Sequence, residues 1–141
     1  MNAGRCFVDT SAFIAVADRS DQRHADAVRL AKLIDSRRMR QFTTNYVLAE
    51  LYTRLRRTTG LAGAIRVAEL IRRQINAGQL TLAYADEALD ATAWQIFEKY
   101  HDQDFSYVDC TSFAWLQSNP KIAVFAFDRH FQWMGFDLLS T

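Results

Sequence analysis

Short apolar runs alternate along the chain with longer stretches in which apolar residues return at helical spacing. Cys6-Phe7-Val8 is apolar and β-prone, and Asp9-Thr10-Ser11 behind it supplies capping side chains for a helix from Ala12 to Ala17. From Asp21 to about Ser36, Ala27, Leu30, Ala31, Leu33 and Ile34 mark one face of an amphipathic helix with Arg and Lys outside. Gln41-Phe42-Thr43-Thr44 reads as a second strand. Asn45 is expected to cap the following helix, whose stripe of Val47, Leu48, Leu51 and Leu55 ends before Thr58-Thr59-Gly60. A further helix from about Leu61 to Asn76 stops at Ala77-Gly78, and Leu80 to Tyr84 reads as a third strand. Asp86 opens a helix running through Trp94 and Phe97 to Tyr100. Ser106 and Asp109 have capping-box spacing, ahead of a helix through Cys110, Phe113, Ala114 and Leu116 that stops at Asn119-Pro120. Ile122 to Phe127 is the most strand-like run in the chain, and Phe136 to Leu139 reads as a last edge strand after a short turn or helix.

Strands alternating with helices imply parallel pairing through right-handed crossovers. The expected fold is therefore an α/β, three-layer α/β/α sandwich around a mainly parallel sheet of four or five strands. With 141 residues, half of them hydrophobic, and no repeat, linker or low-complexity segment, one domain over residues 1–141 is expected. No stretch of about 18 uncharged apolar residues occurs, and Met1 to Arg5 lead into the first strand without a signal-peptide core, so a soluble, cytoplasmic protein without membrane attachment is expected. Cys6 and Cys110 lack zinc-site spacing and read as buried, reduced thiols.

Candidate chemistry comes from four acids. Ligands of an open parallel sheet collect at the carboxyl ends of its strands. Asp9 follows the first strand there, and Asp128 follows the strand Ile122 to Phe127. Glu50 lies in the first turns of the helix after strand two, and Asp109 in the first turn of the helix before the later strand, so all four can face one crevice. Singly, each has an ordinary explanation as a cap or a solvated helix residue; their common edge is what points to function. Carboxylates so crowded would take up protons unless cations neutralised them. An all-oxygen set suits Mg²⁺ or Mn²⁺ and disfavours zinc. Such ions serve in-line phosphoryl displacement by activated water.

The net charge of +1 argues against a general polyanion binder, yet charge is unevenly spread. Arg37, Arg38, Arg40, Arg54, Arg56, Arg57, Arg66, Arg72 and Arg73 stand against only Glu50 and Glu69 within their segment, a basic flank suited to a phosphate backbone, while most of them taken singly read as solvated helix faces. His24, His101 and His130 show no metal-ligand spacing with one another and read as surface or capping residues rather than ligands or bases. Tyr46 and Tyr107, near the acids, are candidates to stack on unpaired bases. Ser11, Ser106 and Ser112 lack a nucleophile elbow, and no phosphate-cradling glycine loop occurs. A receiver-like or phosphatase domain would also place Asp after strand one, but Asp9 lacks the second acid two residues on that the phosphatase pattern requires.

Four segments together resemble PIN-domain motifs: Phe7-Val8-Asp9-Thr10-Ser11-Ala12, Thr43 to Glu50, Phe105 to Phe113, and Phe125 to Phe131. The resemblance runs essentially end to end and is nearest to VapC-type toxins of bacterial toxin–antitoxin pairs. It implies a magnesium- or manganese-dependent endoribonuclease whose acidic site is Asp9, Glu50, Asp109 and Asp128. Thr10 and Ser11 would be hydroxyl neighbours able to bind metal-linked water or phosphate, and Asp104 a secondary acid. It implies hydrolysis by metal-activated water, leaving a 5′-phosphate and a 3′-hydroxyl, on an RNA that could be transfer, ribosomal or messenger. It further implies a small VapB-like antitoxin and frequent homodimerisation. The antitoxin is expected to lay an amphipathic helix around Tyr46 to Leu55 and reach a cation toward the acids. The contrasting alternative is a non-catalytic PIN-like domain that binds RNA or protein.

Overall fold

The computed structural model describes residues 4–140; residues 1–3 and 141, the ends of the expected 1–141 domain, lie outside the described residues. The chain runs β1 (Arg5–Val8), α1 (Thr10–Ala17), α2 (His24–Ser36), β2 (Arg40–Thr44), α3 (Asn45–Asn76), β3 (Leu80–Ala83), α4 (Glu87–Lys99), α5 (Tyr107–Ser118), β4 (Ala123–Phe125) and α6 (His130–Trp133). Every strand pair is parallel, and the strand order is β3-β2-β1-β4. The expected fifth strand is reduced to one parallel bridge between Val124 and Leu138, held by Val124 N–H to the Asp137 carbonyl and Leu139 N–H to the Val124 carbonyl.

Alternation along β1 creates the layers, because successive side chains leave a strand on opposite faces. Phe7 points into a cluster with Phe113, Trp115, Val124 and Phe131, while Cys6 and Val8 join Ala12, Ala15, Leu30, Ile34 and Phe125 from α1, α2 and β4. A third cluster joins Leu48, Leu51, Leu55 and Ile71 of α3 to Leu80 of β3. Phe13 packs against all three. Cys6 and Cys110 are buried free thiols, as expected, and burial pushes them up to about 12 and about 11.

The two helices expected on either side of Thr58-Thr59-Gly60 meet end to end within α3 and are separated by a kink at Gly60, whose φ of 78° and ψ of 174° leave the helical region. A Cβ there would force a rarely occupied backbone conformation. Thr59 returns its hydroxyl to the Leu55 carbonyl in the turn just before the kink. One expected cap and one expected helix start shift. Thr44, not Asn45, caps α3 by accepting the Val47 N–H at 3.2 Å, while Asn45 Oδ1 accepts the Ala85 N–H at 2.7 Å and ties the α3 start to the end of β3. Asp21 closes a turn instead of opening α2, which begins at His24.

Candidate active site

The parallel arrangement leaves the carboxyl ends of β1, β2 and β4 along one edge, and the sequence turns each into a loop or helix start there. Asp9 is the N-cap of α1. Its own N–H is held by the Phe125 carbonyl at 3.0 Å, which locks it to β4. Its carboxylate accepts both the Ser11 hydroxyl at 2.7 Å and the Ser11 N–H at 3.2 Å. Ser11 Oγ in turn accepts the Phe127 N–H at 3.0 Å, so one hydroxyl joins the β1 exit to the β4 exit. Asp9 is only 4% exposed. Burial, helped by the charge of Asp109 and opposed by the Ser11 hydrogen bonds, pushes its carboxyl up to about 6.

Asp109 is fixed by a complete capping box. Its N–H donates to Ser106 Oγ at 3.0 Å, and its Oδ2 accepts the Ser106 N–H at 3.1 Å. Burial raises its proton affinity, the Ser106 hydrogen bond opposes that, and the charges of Asp128 and Glu50 raise it further. Asp109 is therefore the electrostatic hub through which the four acids feel one another. Asp128 and Glu50 stay 29% and 27% exposed, so the crevice is open on their side. Glu50 has Arg54 Nη1 at 4.0 Å, one helical turn on.

The structure adds a residue that the sequence reading assigned to the surface. His130 Nδ1 lies 3.2 Å from Asp128 Oδ1 and 3.5 Å from Asp109 Oδ2. Donor atoms of Asp109, Asp128 and His130 all fall within 4.8 Å of one another, the one such metal-sized group among the described residues. Asp9 and Glu50 flank this group. The other expected participants fall differently. Thr10 is buried with its hydroxyl directed at the Val47 carbonyl 3.5 Å away, and Ser11 is committed to Asp9 and Phe127, so both hydroxyls shape the site from within. Asp104 is exposed in the loop before α5 and stands outside the group.

Tyr107 donates its hydroxyl to Asp90 and meets Tyr46 edge-on at 6.4 Å, within an aromatic set that continues to Trp94 and Phe97. The basic flank divides. Arg54 reaches the acids, but Arg40 begins β2 and sits at its amino end, about 13 Å of strand away from the site at 3.3 Å per residue, with Arg37 and Arg38 just before it.

The sheet order, the edge on which the acids gather and their placement at helix starts define a PIN domain. A family model described as PIN domain matches residues 6–136, and the chain belongs to that family. It is 32% identical over 135 residues to the 23S rRNA-specific endonuclease VapC20 of Mycobacterium tuberculosis, in both the CDC 1551 and H37Rv strains, covering 92% of this chain and 94% of the relative. The crystal structure of M. tuberculosis VapC20, described as a Sarcin-Ricin loop cleaving toxin, superposes with a TM-score of 0.83 at 29% identity, covering 95% of this chain and 98% of that one. VapBC2 from Rickettsia felis, solved with a fragment of promoter DNA, shares the fold with a TM-score of 0.65 at 10% identity over 96% of each chain. No helix of the described residues is long and apolar enough to cross a membrane.

Proposed function

We propose that this chain is the ribonuclease of a VapBC-type toxin–antitoxin pair, an endoribonuclease that requires Mg²⁺ or Mn²⁺ and acts on a structured loop of ribosomal RNA. The observation that carries the proposal is the convergence of Asp9, Glu50, Asp109 and Asp128 on one sheet edge in a chain 32% identical to a 23S rRNA endonuclease. The donor set fits a divalent cation. A buried carboxyl and a half-buried one, both with raised proton affinity and repelling each other, are what a site looks like when it is complete only with added positive charge. Asp109 and Asp128 would hold the ion, with Asp9 and Glu50 beside it.

A bound divalent cation supplies electrostatic stabilisation of the phosphoryl oxygens and makes water easier to deprotonate. The chain's own part is orientation. The capping box holds Asp109, Ser11 holds Asp9, and neither carboxylate must reorganise when substrate arrives. Arg54 and the exposed Arg129, flanking Glu50 and Asp128, face the solvent side from which a phosphate backbone would approach. Hydrolysis to a 5′-phosphate and a 3′-hydroxyl is expected.

Incubating the purified protein with a 23S rRNA fragment bearing the Sarcin-Ricin loop, with Mg²⁺, Mn²⁺ or chelator, and sequencing the cut ends tests this. Asp109→Asn should abolish the cut. Chelator-insensitive cleavage or a cyclic phosphate end would overturn the reading, and binding of that RNA without any cut would favour the non-catalytic alternative.

A small VapB-like antitoxin is the expected partner. Within the stretch expected to receive it, Tyr46 to Leu55, the side chains of Val47, Leu48, Leu51 and Leu55 are buried, while Ala49 and the half-buried Tyr52 line a shallow apolar pocket with Leu82 and the exposed Tyr84. A second apolar surface is a cleft of about 470 Å³ between α1 and the second half of α3, with the exposed side chains of Val16 and Leu70 on its lining. Leu70→Glu should weaken co-purification with the antitoxin encoded beside this protein while leaving RNA cleavage intact. Exposed Trp94 and Phe97 support the expected homodimer, which light scattering measures.

A further inference from the structure

We propose that His130 is an inner ligand of the metal site, so that Asp109, Asp128 and His130 form a mixed nitrogen–carboxylate face that selects first-row transition ions over Mg²⁺. The inference rests on the metal-dependent reading above and concerns which ion the chain is built to hold. Its basis is an unpaired buried atom. His130 Nδ1 is shielded from solvent and has no hydrogen-bond partner, although two carboxylate oxygens stand at 3.2 and 3.5 Å. Neither contact has hydrogen-bond geometry, so the ring is not held there by donating to either acid. A buried ring nitrogen left in that state costs about 1–3 kcal/mol unless something else satisfies it.

The spacing says what satisfies it. Ligand atoms about 2.1 Å from an octahedral ion lie about 3 Å apart when adjacent and about 4.2 Å when opposite. The two Nδ1 to oxygen separations match adjacent positions with a contraction of a few tenths of an ångström, and the whole trio spans no more than 4.8 Å. The ring is also held independently of any ion. Phe105 packs against it edge-on at 4.9 Å between centroids, and the His130 N–H donates to Asp128 Oδ1 at 2.9 Å, which ties the backbone of one ligand to the side chain of the other.

A nitrogen donor changes selectivity. Mg²⁺ is a hard ion satisfied by carboxylate and water, whereas affinity at an imidazole site rises from Mn²⁺ through Co²⁺. The test uses the whole protein without RNA. Wild type, His130→Leu and His130→Asn are titrated calorimetrically with Mg²⁺, Mn²⁺ and Co²⁺, with thermal melts to verify folding. Pulsed electron paramagnetic resonance of the Mn²⁺-loaded protein reads ¹⁴N coupling directly. The expected result is an imidazole ¹⁴N coupling in wild type that both variants lose, at least a tenfold loss of Mn²⁺ and Co²⁺ affinity, and less than a threefold change for Mg²⁺. Absence of the coupling in Mn²⁺-loaded wild type, or an equal change for all three ions, overturns the proposal while leaving the nuclease reading intact. If wild type binds none of the ions, and Asp109→Asn changes nothing, both fail.

Discussion

Asp9→Asn is the sharpest test of the site's electrostatics, because its effect on stability has the opposite sign to its effect on function. The carboxyl rises from 3.8 to about 6 in the fold, chiefly through burial. At 1.36 kcal/mol per pH unit, keeping it ionised in the native state costs ~3 kcal/mol. Because the folded pKa is the higher one, the penalty is absent below about pH 4, grows as pH rises toward 6, and is complete above it. Asparagine removes the charge and keeps an oxygen able to accept both Ser11 donors, though more weakly than an anion does. Allowing about 1 kcal/mol for that weakening, the variant should be ~2 kcal/mol more stable than wild type at pH 7.5 without divalent ions, or about 7 °C in Tm. It should gain nothing at pH 4. Divalent ion at about 100 times its Kd stabilises wild type by ~2.7 kcal/mol and should close the gap, since the variant binds the ion weakly. Urea unfolding followed by circular dichroism at both pH values, with and without Mg²⁺, provides the measurement. An equal gain at pH 4 and pH 7.5, or no gain at either, would refute the account of Asp9 as a buried anion awaiting a cation.

Other outcomes follow from single contacts. Ser106→Ala removes half of the capping box and should cost ~1 kcal/mol in urea unfolding, with a parallel loss of metal affinity because Asp109 loses its brace. Ser11→Ala strips a hydroxyl from Asp9 and orphans the Phe127 N–H, so stability should fall by about 1–3 kcal/mol. The acid limb of the cleavage pH profile should then move upward, because the lost hydrogen bond favoured the ionised carboxylate. Gly60→Ala, at a φ of 78°, should destabilise by about 1–2 kcal/mol even though nothing lies within 4 Å of the added Cβ, and calorimetric melting would show it.

The parts of the site legible in sequence were those written in local grammar. Ser106 and Asp109 form the box that their spacing predicts, Asp9 caps α1 as its neighbours suggest, and parallel topology brings Asp9 and Asp128 to the same edge. His130 was illegible because its partnership with Asp109 is tertiary. No periodicity connects a residue at the start of α6 to one at the start of α5. The arginines divide for a similar reason, since a count along the chain ignores which end of β2 each residue occupies. Thr44 displaced Asn45 as a cap because Asn45 finds a partner in Ala85, which propensity cannot anticipate. The last strand shrank to a bridge where Asp137 and Leu139 could share only Val124.

The hydroxyl of Ser11, bonded to Asp9 on one side and to the Phe127 amide on the other, spans 116 positions of sequence. It makes the site a late event in the life of each molecule. Until β4 has docked beside β1, Asp9 lacks the Phe125 carbonyl that anchors its backbone, and Asp128 and His130 are not in place. A chain interrupted between α5 and β4 therefore carries Asp9, Glu50 and Asp109 without the β4 contacts that complete their surroundings. For a protein with the proposed nuclease activity, this connectivity predicts that abortive synthesis products are inactive and that cleavage belongs to finished molecules alone.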